Sequence, residues 1–426
     1  MHGWRANCIF KPNMSKWSLF TRFLLIPRVI LSIYILLAFA TAIQAYLLGS
    51  FEFKMPDKAP PGHDIVNNLE TMKQYIGCRI TNYNNYIIFK QSWFHLISGK
   101  NLYVIYPHEY WDLYKYSPSF AFLMAPFAYL PDLLSLFLWS LLNAGILYLA
   151  VQKLPFSERK KSIFLLFLIP ELMTSIQNLQ TNALLAGLIL LAHHCLQNRK
   201  SQWATLWLVL ATVIKVYGAV GFCLFLFYPD KIKFILWAAF WTLLLVLMPL
   251  LVSPVQTLIW QYHNWGMMLT ADQSSSYGLS VMGWLHSWFG LDSGKNYVIL
   301  VGLLLFFVPL LRIKLYKDDR YRILMLAYML VWVIIFNHKA ESPTFVIAVC
   351  GIFIWYFSGP RQYFDKMVFA LVFVFTSLSV TDIFPPYVKD HFFIPYCIKV
   401  VPCIIGYFVI LSQLVKLKEL PGETTI

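Results

Sequence analysis

The sequence is short of charge. Only 13% of its 426 residues are Asp, Glu, Lys or Arg, against about 25% in an ordinary soluble domain. That excludes a globular surface wetted all round. With 59% hydrophobic residues and a mean hydropathy of +0.62, the apolar excess would not stay soluble. Paired cysteines are lacking as well. Cys8, Cys78, Cys195, Cys223, Cys350, Cys397 and Cys403 form no Cys-x-x-Cys, and only Cys78 falls in an outer loop, so neither a disulfide framework nor a zinc site is supported. There is no glycine-rich phosphate loop, no Gly-x-Ser-x-Gly and no His-Glu-x-x-His. What remains is a set of long apolar runs and a net charge of +14, from 34 Lys+Arg against 20 Asp+Glu. In a soluble chain that balance would hint at nucleic acid. In a membrane chain it asks on which side the positive charges lie.

A crossing of a ~30 Å hydrocarbon core needs about 20 apolar residues. Twelve runs are candidates, several of them short: 23–48, 133–152, 162–176, 181–197, 202–214, 216–229, 233–252, 296–313, 321–337, 343–358, 367–381 and 394–415. Runs 202–214 and 216–229 are short and read as half-helices meeting near Lys215. Residues 118–130, bounded by Pro118 and Pro131 and holding Pro126, read as a short dipping helix. The expected fold is all-α: one polytopic membrane domain over 1–426, with about twelve transmembrane helices and an outer loop, 49–117, carrying interfacial helices. The charges test this. With the N-terminus in the cytoplasm, 22 of the 34 Lys and Arg fall in cytoplasmic segments, and seven more sit in the 49–117 loop among six acids. That is the positive-inside pattern, with both termini cytoplasmic. The apolar run near the N-terminus is too long for a signal-peptide core and reads as an uncleaved anchor.

Polar residues gather on the outer face, where membrane-protein chemistry is to be sought. The 49–117 loop, about 69 residues, is too long for a mere connection. It opens with Pro56-Asp57-Lys58-Ala59-Pro60-Pro61-Gly62, and residues 84–97 read as an amphipathic helix lying on the membrane. Residues 103–118 hold five tyrosines and a tryptophan, suited to the headgroup belt or to flanking a sugar. Glu171, the Gln177–Asn182 turn, Lys215, the Asn337–Pro343 turn and polar groups of 253–295 add five islands on the same side. Together they would build a cavity for a charged, polar substrate.

The order of motifs resembles the GT-C superfamily of polytopic glycosyltransferases, and within it glycosyltransferase family 87. Its carriers are Asn85-Tyr86-Ile87-Ile88-Phe89, Gly99-Lys100-Asn101-Leu102-Tyr103, Tyr116-Ser117-Pro118, Leu179-Gln180-Thr181-Asn182, Lys215, Asp272-Gln273-Ser274 and the His338–Pro343 region. The resemblance covers most of 15–360. One departure matters. The family's acid after the first span, its presumed general base, is replaced by Asn84-Asn85, and asparagine accepts no proton at useful pH.

The resemblance implies transfer of a hexose, mannose above all, from a polyprenyl-phosphate donor to a lipid-linked or envelope glycan acceptor at the outer face of the plasma membrane. Such a reaction needs a base on the acceptor hydroxyl and cations on the departing phosphate. Asp112 and Glu109 are the first candidates for the base, followed by Asp64, Glu171 and Glu341. Lys215, with Lys115 or His338, would hold the phosphate. Gln180 and Asn182 would hydrogen-bond sugar or phosphate, and Asn85 and Glu341 would line the same site. Each has a plainer reading: an ion pair of Asp112 with Lys115, snorkelling of Lys215, helix capping by Gln180 and Asn182, a satisfied interfacial His338. No cofactor or metal is called for, and the partners are the donor, the acceptor and the bilayer, with no nucleic acid. The rival readings are a lipid or glycolipid flippase, disfavoured because no internal repeat is visible, and a catalytically inactive envelope-assembly protein.

Overall fold

The structure, a computed structural model, describes residues 24–52, 79–272, 277–291 and 294–419. The Pro56–Gly62 stretch, Asp64, Cys78 and Gln273-Ser274 lie outside the described residues. In chain order the helices used below are α1 (Pro27–Leu48), α2 (Asn84–Ile97), α3 (Pro118–Leu123), α4 (Ala125–Ala128), α5 (Asp132–Gln152), α6 (Glu158–Gln177), α7 (Asn182–Gln197) and α8 (Ser201–Ile214). A tight 3-10 helix, Val216–Phe227, follows, then α9 (Lys231–Leu247), α10 (Val255–Ala271), α11 (Val281–Phe289), α12 (Lys295–Leu310), α13 (Asp319–Ile335), α14 (Phe345–Phe357), α15 (Tyr363–Leu371) and α16 (Val401–Lys416). Ser50–Glu52 and Arg79–Thr81 pair as two short antiparallel strands, Ser50 opposite Thr81.

Among the described residues, four segments are long and apolar enough to cross a membrane: Pro27–Leu48, Asp132–Gln152, Lys231–Leu251 and Ile398–Lys416. The chain is therefore a membrane protein. Five shorter apolar helices, among them Asn182–Gln197 and Ser201–Ile214, pack with them. One continuous apolar core runs from Ile30 to Leu414. Helices α13 and α14 are apolar on nearly every face and lie at its centre, with Tyr328, Leu330, Phe345 and Phe353 fully enclosed. Small residues set the closest crossings: a Cβ on Gly351 would stand 2.6 Å from the Ala327 carbonyl oxygen.

Two segments differ from expectation. Helix α2 forms, but Tyr86, Ile87, Ile88 and Phe89 are buried in succession, so it is enclosed rather than laid on a surface. Residues 118–128 form two short helices, α3 and α4, with Pro118 at the first position of α3 and Ser117 accepting from the Phe120 amide to cap it.

Candidate functional site

The chain folds back on itself at Lys215. Helix α8 ends there, the Lys215 amide bonds the Ala211 carbonyl at 3.0 Å, and Gly218 donates to the Lys215 carbonyl at 2.8 Å. The returning 3-10 helix can lie against α8 because residue 218 has no side chain: a Cβ would meet the Ala211 oxygen at 2.6 Å. The ammonium of Lys215 is thus carried at a hairpin tip. Its Nζ donates to Asn182 Oδ1 at 2.8 Å and reaches Gln180 Oε1 at 3.5 Å. The Tyr217 hydroxyl donates to the same Asn182 oxygen at 3.1 Å. Asn182 Nδ2 donates to Gln180 Oε1 at 2.7 Å, and Gln180 Nε2 donates to Glu341 Oε2 at 2.8 Å. The rings of Tyr116 and Tyr217 lie 5.9 and 5.8 Å from the ammonium.

A second arm comes from the 101–117 loop. Helix α2 presents Asn84, whose Nδ2 donates to the Trp111 carbonyl while its Oδ1 accepts from the Trp111 amide at 3.1 Å. The next residue, Asp112, has a φ of +87°, which L residues rarely adopt, and its Oδ1 accepts from the Leu113 amide at 2.7 Å. Ser117 donates to the Val213 carbonyl at 2.6 Å, tying the loop to the end of α8. Lys115 faces Asp112 at 3.5 Å. Burial acts to lower the Lys115 pKa, but Asp112, Asp272 and Glu341 outweigh it and raise it, so the side chain stays cationic.

The third arm is the 337–343 turn between α13 and α14. Leu279 donates to the Ala340 carbonyl at 2.7 Å, and Gly278, at φ +56°, lets the backbone come this close, since a Cβ there would stand 2.4 Å from the His338 oxygen. Lys339 pairs with Asp272 at 3.1 Å. Burial, then Lys339 and Lys295, lower the His338 pKa against the pull of Asp272, so the neutral imidazole prevails at pH 7. Its Nε2 is buried without a hydrogen-bond partner among the described residues.

Asp112, Lys115, Gln180, Asn182, Lys215 and Glu341 thus meet, with His338 beside Asp272 and Lys339. The other candidates do not. Glu109 pairs with His95 Nε2 at 2.7 Å and Lys100 at 3.8 Å, and Asn85 donates to the Asn178 carbonyl at 2.8 Å, bracing the turn before α7. Glu171 is fully buried and bound to Lys399 at 2.8 Å. The plain reading of Asp112 holds in part, since its ion pair with Lys115 is present. The capping reading of Gln180 and Asn182 does not: their side chains bond each other, Lys215 and Glu341, and the first-turn amide of Leu184 is taken instead by Asn143 Oδ1 at 3.2 Å. The tyrosines are also not a headgroup belt throughout. Tyr103, Tyr110 and Tyr114 are buried; Tyr103 and Tyr114 bond the backbone carbonyls of Tyr116 and Ser117, Tyr114 packs on Tyr103 and Tyr116, and Tyr116 packs on Phe120 and Phe89. Tyr217 was missed. Its only signal was its place two residues after Lys215, on a segment that otherwise reads as plain apolar helix.

The site offers three ammonium groups, three carboxylates and two amides: cations for a phosphate, hydrogen bonds for a polar ligand, and a base. Among the described residues, no group of three or more His, Cys, Asp or Glu is placed to hold a metal. A comparison with curated proteins returned no match. A family model described as glycosyltransferase family 87 matches residues 114–359, which contain Lys115, Gln180, Asn182, Lys215, His338 and Glu341 and leave Asp112 just outside. That match spans more than half of the sequence, and the chain belongs to glycosyltransferase family 87.

Proposed function

We propose that this membrane glycosyltransferase moves a hexose, mannose in the first instance, from a polyprenyl-phosphate donor to a lipid-linked or envelope glycan. We place the site at the outer face of the plasma membrane, with both termini cytoplasmic, about twelve crossings in one domain, and the 49–117 loop and 118–130 segment at the outer surface. The charge asymmetry of the short loops supports that orientation. The observation that carries the reading is that Lys115, paired with Asp112, also feels the charge of Glu341, the end of the Lys215–Asn182–Gln180–Glu341 chain.

In this mechanism Asp112 takes the proton from the acceptor hydroxyl, the hydroxyl oxygen bonds to the anomeric carbon, and the bond from that carbon to the phosphate oxygen breaks. The polyprenyl phosphate leaves with the electron pair. Lys215 and Lys115 hold it, charges that matter more where water is scarce. Gln180 and Asn182 orient sugar or phosphate, and Glu341 fixes Gln180. His338, neutral, offers a hydrogen bond rather than a charge. Glu109 ranks below Asp112 as base because its carboxylate is engaged by His95 and Lys100.

The test is transfer from a panel of polyprenyl-phosphate sugars in reconstituted membranes. Asp112→Asn should lower turnover by about 10²–10⁴-fold, whereas Glu109→Gln should act mainly on stability. Full turnover in Asp112→Asn would remove Asp112 from the base role. Binding or lipid movement without any transfer in the native protein would favour the inactive or flippase reading, which the Asn84-Asn85 replacement keeps in play.

A further inference from the structure

The far ends of the helices that frame the site hold a second feature. Helices α13 and α14 meet the 337–343 turn at one end; at the other, α13 begins at Asp319, next to Arg320, and α14 ends beside Ser358. There, with the end of α16, they enclose a cleft of about 1190 Å³. Among the described residues four cations line it, Arg320, Arg361, Lys416 and Lys418, against one acid, Asp365.

The polar wall is built in advance. The Arg361 guanidinium lies 4.8 Å over the Trp355 ring, donates to the Tyr356 carbonyl at 2.7 Å and to Ser358 Oγ at 3.2 Å, and stands 4.0 Å from Asp365. Gln413 accepts from Trp355 at 2.9 Å and donates to Asp365 at 3.2 Å. Arg312 donates to the Val415 and Leu417 carbonyls, closing the end of α16 that presents Lys416 and Lys418. Arg320 is matched by Asp318. Lys416 and Lys418 have no side-chain partner among the described residues, so the cleft carries uncompensated positive charge.

The other wall is apolar, with Ile405, Phe408 and Val409 facing Ile323 and Leu324. Phe408 also lines a wholly apolar cavity of about 290 Å³ between α11, α12, α13 and α16. Cationic cleft and apolar lane therefore join at one residue of α16, which is part of a segment long and apolar enough to cross the bilayer. A free phosphate would use only the cations. A phosphate carrying acyl chains uses both walls.

We propose that this cleft is a binding site for an anionic phospholipid, its phosphate between Lys416, Lys418 and Arg361 and an acyl chain running past Phe408. Under the orientation above, the lipid belongs to the cytoplasmic leaflet, but the binding itself does not depend on that orientation or on the transfer reaction.

Native mass spectrometry of the detergent-purified full chain, titrated with dioleoylphosphatidylglycerol or dioleoylphosphatidylcholine, tests it. The expected result is tighter retention of one phosphatidylglycerol, weakened roughly thirtyfold in Lys416→Gln/Lys418→Gln, about fivefold per lysine. Lys314→Gln/Lys317→Gln, at exposed lysines outside the cleft, should retain it as the native chain does. Equal retention of the two lipids, or native-like retention by the Lys416/Lys418 variant, would overturn the proposal. Displacement of the lipid by millimolar inorganic phosphate alone would overturn it in favour of a soluble anion.

Discussion

Asp112 has the least relaxed backbone in the site, and a residue held at φ +87° needs something to hold it there. Asn84 does so through two bonds to Trp111, and it stands where the resemblance leads one to expect an acid. The replacement thus changes a candidate base into the brace for another. Asn84→Ala should lower kcat about ten- to a hundredfold with little change in KM, because misplacement by an ångström is costly; restoration by Asn84→Gln, whose longer side chain cannot repeat both bonds, would argue against a positioning role. Asn at 112 tolerates positive φ, so Asp112→Asn reads out the carboxylate rather than the loop. Lys215→Met keeps the apolar stem and removes the charge; turnover should fall by about 10²-fold or more, measured at saturating donor. A pH effect belongs to His95. Burial depresses its folded pKa, partly offset by Glu109, so the unfolded chain binds the proton first. The stability it contributes is full above the unfolded value, about 6.5, and is lost as pH falls below that toward the depressed one. Melting of the native protein in detergent should therefore drop on acidification through that window, and His95→Gln should flatten the drop.

At the scale of elements, the Lys215 hairpin shows what the sequence could and could not convey. The break in the apolar run marked the turn, and the short runs on either side marked half-length helices. Nothing in the pattern showed that the returning segment winds as a 3-10 helix or that Gly218 permits its approach to Ala211, because a close crossing depends on the partner surface. Gly218→Val should destabilise the protein by roughly 1–3 kcal/mol. Gly145→Ala, on a helix with open space around the added methyl, should be neutral or slightly stabilising. Thermal melts of both decide it. Helix α2 taught the reverse lesson. Its mixture of Lys90, Gln91 and His95 with apolar residues looked like one wet face, yet His95 is buried against Glu109 and Lys90 pairs with Asp132 at 2.7 Å. Partners remote in the chain satisfied residues that pattern alone assigned to the surface.

Across the whole molecule, the predominantly helical membrane architecture and most of the polar cluster could be read from hydropathy and motif order. The long-range pairings could not. Pro170-Glu171 interrupts a span and so reads with the outer polar residues, but the partner of Glu171 is Lys399, 228 positions away and beyond the family match. This pair fastens α6 to the start of the last helix inside the core, with Lys399 also receiving Thr376 on its carbonyl at 2.7 Å. Removing one charge strands the other, so Glu171→Leu or Lys399→Met alone should cost about 3–5 kcal/mol, while the double variant should regain most of it. Equal stability of all four proteins would show that the pair fastens nothing.

The length of α8 carries one more consequence. Fourteen residues rise about 21 Å, and a typical hydrocarbon core is ~30 Å thick. A helix that short leaves its terminal lysine below the headgroup plane unless the lipid around it thins. If the proposed reaction holds, bilayer thickness becomes a control on catalysis: in a thinner membrane the ammonium of Lys215 rises toward the level of the proposed donor's phosphate, and in a thicker one that donor must sink to meet it.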